Sequence, residues 1–339
     1  MTQIIDWHTH WLSPRALAFL ETRDAAPRVQ RRPDGGLEFL VNSSVLSRAI
    51  PIGPTFFDGP TRIAHIDEAG IDHQVISWPT TLGVDPALDA AASRTLFRDY
   101  NDDLAELVSR HPGRLSGLAA LTTADVEWSA RELDRAHREL GLIGAVLPAG
   151  AFLSLDGARH VAPILEVAQR HGSHLYLHTG LAHPCVPGQW AHPPAADAAT
   201  ARWLLESTSQ FSAAWITLAL TDFLAPFPDV TVQLAMLGGI LPALAGSIDA
   251  RGRKEGLPPQ LPALRRIYID TGVLGSDPQA LGLAVRVLGA ERILFGSDYP
   301  LVPSAPVLAA VRGSGLDAHT LQTLFNNGRE ILERLARAA

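Results

Sequence analysis

Short apolar runs rich in β-branched and aromatic residues alternate with amphipathic stretches along nearly the whole chain. The runs predict strands at Gln3–Trp7, Asp72–Ser77, Leu115–Leu121, Gly144–Leu147, His174–Leu177, Thr231–Ala235, Ile267–Asp270 and Ile293–Gly296. Between them a helical period predicts helices such as Ala87–Arg110, Val126–Leu140, Ala158–His171, Ala198–Phe211 and Pro278–Leu288. Strand–helix alternation argues for an α/β fold with a parallel sheet. Eight such strands with their crossovers fit a (β/α)8 TIM barrel. A doubly wound sheet competes, but it calls for a glycine-rich phosphate turn after the first strand. Here the first strand runs instead into His8-Thr9-His10.

Two segments interrupt the alternation. Arg28–Val41 carries Pro33-Asp34-Gly35-Gly36 between alternating residues, which reads as a β-hairpin. It belongs to an insertion over about residues 24–60, expected near the barrel mouth. Thr179–Ala196 is a long loop rich in Pro, Gly and His, a length that is usually functional. No linker divides the chain, so residues 1–339 are expected to form a single barrel domain with the hairpin as its insertion.

Composition narrows the function classes. With 47% hydrophobic and 19% charged residues the chain is globular and not disordered. A net charge of −7 argues against nucleic acid as partner. The N-terminus lacks the basic start and apolar run of a signal peptide, and no apolar stretch is long enough to span a bilayer. The expectation is a cytoplasmic protein with no membrane partner. The lone cysteine, Cys185, excludes an intrachain disulfide and reads as a buried inert thiol. The lone lysine, Lys254, removes Schiff-base and P-loop lysine chemistry.

The chemistry concentrates at strand ends. His8 and His10 stand two apart at the end of the first strand, so a period of two sends both side chains to one side. Paired imidazoles there suit Zn or a similar ion. His178 ends the fifth strand in Leu175-Tyr176-Leu177-His178-Thr179-Gly180, with His174 and Tyr176 on the same face but deeper. Asp298 follows the eighth strand in Gly296-Ser297-Asp298-Tyr299-Pro300. It reads as a metal ligand or general base, with a helix N-cap before Pro300 as the plainer alternative.

Taken together and in this order, these motifs resemble the amidohydrolase superfamily. They are most similar to the branch with aminocarboxymuconate-semialdehyde decarboxylase and the resorcylate-type decarboxylases. Asp67-Glu68-Ala69-Gly70-Ile71-Asp72, Arg110-His111-Pro112-Gly113-Arg114 and Asp270-Thr271 match as well, so the likeness runs from about Gln3 to Leu335. It implies a distorted (β/α)8 barrel holding a divalent metal through His8, His10, His178 and Asp298; Asp6 is a weaker match to a ligand position. Binuclear relatives bridge two ions with a carboxylated lysine at the fourth strand, which here ends Val146-Leu147-Pro148-Ala149-Gly150, so one ion is expected. Zinc is the foremost candidate, with Fe or Mn as alternatives.

Two positions depart from the family pattern. The family's His-x-Gly-Gly segment reads Met236-Leu237-Gly238-Gly239 here, and a thioether holds no titratable proton. A soft-ligand role for Met236 is the minor alternative to lining the substrate site. An arginine common in relatives aligns with Ser247. His183 or His192, in the loop after His178, is the candidate replacement for the missing acid–base group, against a reading as solvent-facing loop histidines. Trp190 and His192 are candidate substrate contacts, with hydrophobic anchoring of the loop as the alternative for Trp190; Arg48, Arg62 and Arg251 are candidate carboxylate binders, with surface salt bridges as their commoner fate; His65 reads as a surface or interface residue. The resulting expectation is a metal-dependent hydrolase or non-oxidative decarboxylase for a small carboxylated or cyclic substrate. The alternatives are an Fe or Mn oxygenase, or its less active subunit, and a non-enzymatic binding protein on the same fold. The resemblance implies a homodimer, with a hetero-oligomer as the alternative.

Overall fold

The computed structural model describes residues 3–41, 49–190 and 197–338. Eight-fold strand–helix alternation is realised with parallel pairing throughout. Strand β1 (Ile5–His10) is followed by an antiparallel insertion of β2 (Arg28–Arg31), β3 (Leu37–Leu40) and β4 (Ala49–Ile52). The parallel series resumes with β5 (His73–Ser77), β6 (Leu115–Gly117), β7 (Ala119–Ala120), β8 (Gly144–Pro148), β9 (His174–His178), β10 (Thr231–Leu234), β11 (Tyr268–Asp270) and β12 (Ile293–Leu294).

Pairing runs β1–β5–β6 in one sheet and β7 through β12 in another. The segment from Leu115 to Ala120 belongs to both, because β6 pairs with β5 and β7 pairs with β8 on either side of Leu118. On the far side, Trp7 N donates to Phe295 O at 2.9 Å and His10 N to Tyr299 O at 2.7 Å. Asp298 N donates to His8 O at 2.8 Å. These bonds carry the chain after β12 back onto β1 and complete a ring of eight parallel stretches, the barrel pattern.

The helices wrap the ring and bury its outer face. Their capping is orthodox: Asp58, Asp89 and Asp125 each accept a main-chain N–H at the start of the helices Gly59–Ala69, Ala90–Arg110 and Val126–Arg138. Inside the ring the residues are not all apolar. Gln233 Nε2 donates to Asp270 Oδ2 at 2.7 Å, and Gln233 Oε1 meets His174 Nε2 at 2.8 Å. His174 Nε2 is thus partnered below the rim, whereas its Nδ1 is buried without a hydrogen-bond partner.

The insertion turns at Gly35, whose φ of 84° is the left-handed conformation that glycine adopts without steric cost. Its third strand, β4, reads only weakly in the sequence because Pro51 interrupts it. The chain leaving the insertion is tied to the exit of β1, where Leu12 N donates to Phe56 O at 2.9 Å and Trp11 Nε1 to Phe57 O at 3.0 Å. No helix among the described residues is long and apolar enough to cross a membrane.

Candidate metal centre

Each of three strand ends delivers part of one cluster. His8 and His10 come from β1, His178 from the last position of β9, and Asp298 from the segment after β12. One potential ligand atom from each lies within 4.8 Å of all the others. His8 Nε2 and His10 Nε2 are each 3.2 Å from Asp298 Oδ1, and the three imidazole rings stand 4.4–5.1 Å apart. All three of these facing atoms are buried without a hydrogen-bond partner. Buried polar atoms left so are costly. Three nitrogens and a carboxylate oxygen converging in this way fit a divalent cation.

The opposite ring nitrogens are all engaged, which sets each imidazole's orientation. His8 Nδ1 lies 3.0 Å from Asp270 Oδ1, His10 Nδ1 3.2 Å from Ser77 Oγ, and His178 Nδ1 3.1 Å from Thr80 Oγ1. An outer partner of this kind fixes the tautomer and presents the other nitrogen to a metal. Asp298 sits at φ 70°, an unfavourable left-handed conformation for a non-glycine residue. Its main chain is held by His8 O, and its neighbour Ser297 is held by Asp6.

Electrostatics follow the same division. Burial opposes charge on His8, but the Asp270 and Asp298 carboxylates outweigh it and raise its pKa to about 10. Burial lowers His10 and His178, and each also feels its neighbouring imidazoles. Asp298 is buried, yet His8 and His10 hold its carboxyl well below the usual range. One positive charge in the cluster is therefore strongly favoured, and a proton and a metal ion compete for that role.

Asp6 stands outside the cluster. Its oxygens accept from Ser297 N (2.9 Å), Ser297 Oγ (2.6 Å), Ser304 Oγ (3.2 Å) and Gln74 Nε2 (3.4 Å). The register of β1 against β5 shifts between Asp6 and Thr9, which breaks the simple period of two.

Met236 lies beside the His8–Asp270 pair. Its amide donates to Asp270 Oδ1 at 3.1 Å, and a Cβ placed on Gly272 would come within 2.8 Å of its sulfur and 3.4 Å of His8 Nδ1. Met236 and Leu237 both take positive φ, 56° and 54°, so this turn is strained.

The remaining candidates fall elsewhere. His183 is half-buried and outside the cluster. Its main chain is pinned by Thr123 Oγ1 (2.8 Å) and Asp85 Oδ2 (3.3 Å), and its Nδ1 accepts from Cys185 N at 3.2 Å. His192 and Arg48 lie outside the described residues. Trp190 is 38% exposed on the loop after β9. Cys185 is exposed, not buried as expected, because it sits within the turn closed by Val186 N donating to His183 O at 2.9 Å; partial desolvation raises its thiol pKa. Arg251 is an exposed partner of Glu255, and Ser247 is exposed on the helix Leu241–Lys254. His65 is half-buried and outside the cluster: it stacks on Tyr299 at 3.9 Å and bonds Ser304. Arg62 is fully buried behind β1.

Two supporting residues carried no assigned role in the sequence. Asp270 matters because it orients His8 across 262 positions of chain. Its place at a strand's end, like that of His178, was the available signal. Asp85 is buried and accepts from Thr122, Thr123 and His183, so it ties together three loops on the strand-end rim.

Comparison with known proteins identifies the family. Residues 5–316 match the sequence profile of a family described as amidohydrolase. A gamma-resorcylate decarboxylase of Polaromonas sp. is 30% identical over 261 residues, covering 70% of this chain and 76% of that protein. A 2-amino-3-carboxymuconate-6-semialdehyde decarboxylase of Dictyostelium discoideum is 26% identical, covering 72% of this chain and 67% of that protein. Among solved structures, 5-carboxyvanillate decarboxylase of Novosphingobium aromaticivorans, complexed with manganese and 4-hydroxy-3-methoxy-5-nitrobenzoic acid, superposes with a TM-score of 0.71. It is 19% identical and covers 98% of this chain and 96% of that one.

Proposed function

The chain belongs to the amidohydrolase family, and on that premise we propose that it is a carboxy-lyase that removes CO2 without oxidation from a small unsaturated or hydroxylated aromatic carboxylic acid. The observation that carries the reading is the convergence of the buried, unpartnered His8 Nε2, His10 Nε2 and Asp298 Oδ1 with a ring nitrogen of His178 in one cluster. That set would hold one divalent ion. Manganese, present in a structural relative, stands beside zinc as the candidate. When bound, the ion would orient the substrate's oxygens and stabilise the negative charge that develops as the carbon–carboxylate bond breaks.

The chain's own groups supply the rest. His8, His10 and His178 present fixed nitrogens because their outer nitrogens are already bonded. Asp298 is the member of the set that reaches the opening, with its side chain 13% exposed where His8 and His10 are at 0% and 1%. Its carboxylate is therefore placed to take a proton from water and pass it to the substrate carbon as CO2 leaves. The bond's electron pair stays on that carbon, CO2 departs neutral, and the incoming proton restores the ring. Met236 has no proton to give, so this duty falls on Asp298.

The test has two parts. Protein purified without added metal is assayed for bound metal, then for CO2 release from a panel of hydroxybenzoates. About one divalent ion per chain with CO2 release is the expected result. Asp298→Asn should retain the fold and lose about 10²–10⁴ in rate. Metal binding with hydrolysis of amides or lactones, and no CO2 release, would replace the lyase reading with a hydrolase one.

A further inference from the structure

Arg62, on the helix Gly59–Ala69, is fully buried, and no carboxylate of the described residues forms an ion pair with it. Burial lowers its pKa only to about 10, so it is charged at neutral pH. A buried unpaired cation is expensive, and its Nε is left without a partner. The question is what this expense secures.

The guanidinium's contacts lead to the metal centre from two sides. One amino group donates to the main-chain carbonyl of His10. The other donates to Gln74 Oε1 at 2.8 Å. Gln74 Nε2 reaches Asp6 Oδ2, and Asp6 in turn holds the main chain and hydroxyl of Ser297, the residue before Asp298. The Tyr299 ring, directly after Asp298, lies 5.0 Å from the guanidinium carbon. One planar fork therefore touches the β1 side of the cluster and, through Gln74 and Asp6, the β12 side.

We propose that Arg62 is a positioning residue for the metal centre, setting the separation of His10 and Asp298 through its two-pronged contact. The inference rests on the metal-centre reading above. It also has a built-in opponent. A positive charge near a cation site repels the ion, so removing the charge alone would tighten metal binding; removing the fork loosens it. Lysine keeps the charge but cannot bond two acceptors in the fork's fixed plane.

The test is metal affinity of the apo-protein for Mn²⁺ and Zn²⁺, measured by competition with a chelator, alongside its thermal midpoint. Arg62→Met and Arg62→Lys should each bind about 10–100-fold more weakly than the native protein. Gln74→Met, which leaves the His10 contact in place, should lose less and keeps the test open should Arg62→Met fail to fold. Affinity equal to native in Arg62→Lys, tighter binding in Arg62→Met, or a lower midpoint with unchanged affinity would overturn the proposal. A native protein that binds neither ion would overturn the metal-centre reading itself and this proposal with it.

Discussion

Histidines cluster at both ends of this barrel, and only one end resembles a metal site. At the rim, His8 and His10 point nitrogens into a common space with no partner, and Asp298 joins them. At the opposite end, His73, His137 and His171 line a cavity of 1020 Å³. There His73 is satisfied at both nitrogens, by Gly113 O and Ser116 Oγ at 3.0 Å each. His137 Nε2 meets Ser173 Oγ at 2.5 Å, and His171 Nε2 meets Asp134 Oδ1 at 2.8 Å. The lesson is that imidazole density is not the signal. Convergent lone pairs that nothing in the protein satisfies are the signal, and in such barrels they belong at the C-terminal ends of the strands.

The largest test of that contrast is direct removal. His8→Ala or His178→Ala should abolish stoichiometric metal binding, whereas His137→Ala or His171→Ala should leave metal content at the native level. Elemental analysis of the purified variants reads both, and loss of metal from the second pair would break the comparison. Next in size is Met236→His. It restores a titratable group beside His8 and Asp270, and should raise the rate of CO2 release by about 10²-fold, the low end for a placed acid–base group. A fall in existing activity would mean that the thioether belongs to the native chemistry.

A smaller effect is expected of Asp270→Asn. The amide can still contact His8 Nδ1 but no longer favours the tautomer with a proton there. Metal affinity should weaken by about 10–100-fold, read by chelator competition. The same substitution made at Asp134, beside His171, should leave affinity unchanged.

The smallest is a pH effect from the opposite end. Burial, with His171 adding to it, lowers His137 from 6.5 to about 4. Between those values the unfolded chain binds the proton and the folded one does not, so stability is lost as pH falls through this window. His174, fully buried and also lowered to about 4, contributes in the same direction. The thermal midpoint should therefore fall between pH 7 and pH 5, and His137→Gln should flatten the fall. An unchanged slope would show that the His137 site is not closed to protons.

Much of the site was legible because ligands at strand ends leave local marks. His8 and His10 stand out as a polar pair closing an apolar run, His178 closes another, and Asp298 follows a third. The loop after β9 left no such local mark. His183 read as a candidate acid–base group or as a solvent-facing loop histidine, and its place is set by Asp85 and Thr123, which fix its main chain and lie far from it in sequence. Arg62 read as a possible carboxylate binder or surface salt-bridge partner, and only the structure shows it buried against His10 and Gln74.

The order of elements and the polar residues at strand ends are legible in the sequence alone, because periodicity and strand-end polarity act within a few neighbouring residues; the grouping of four of those residues into one ligand set, and the departure at Met236, came from the family resemblance. Which nitrogens are free, which carboxylate turns inward and which serves Ser297 were decided only by the tertiary structure. Asp6 and Asp298 are both aspartates at the ends of the same closure, yet one is saturated by hydroxyls and amides and the other faces three imidazoles. That difference arises from ring closure between β1 and the chain after β12, nearly 300 residues apart, and no local pattern encodes it.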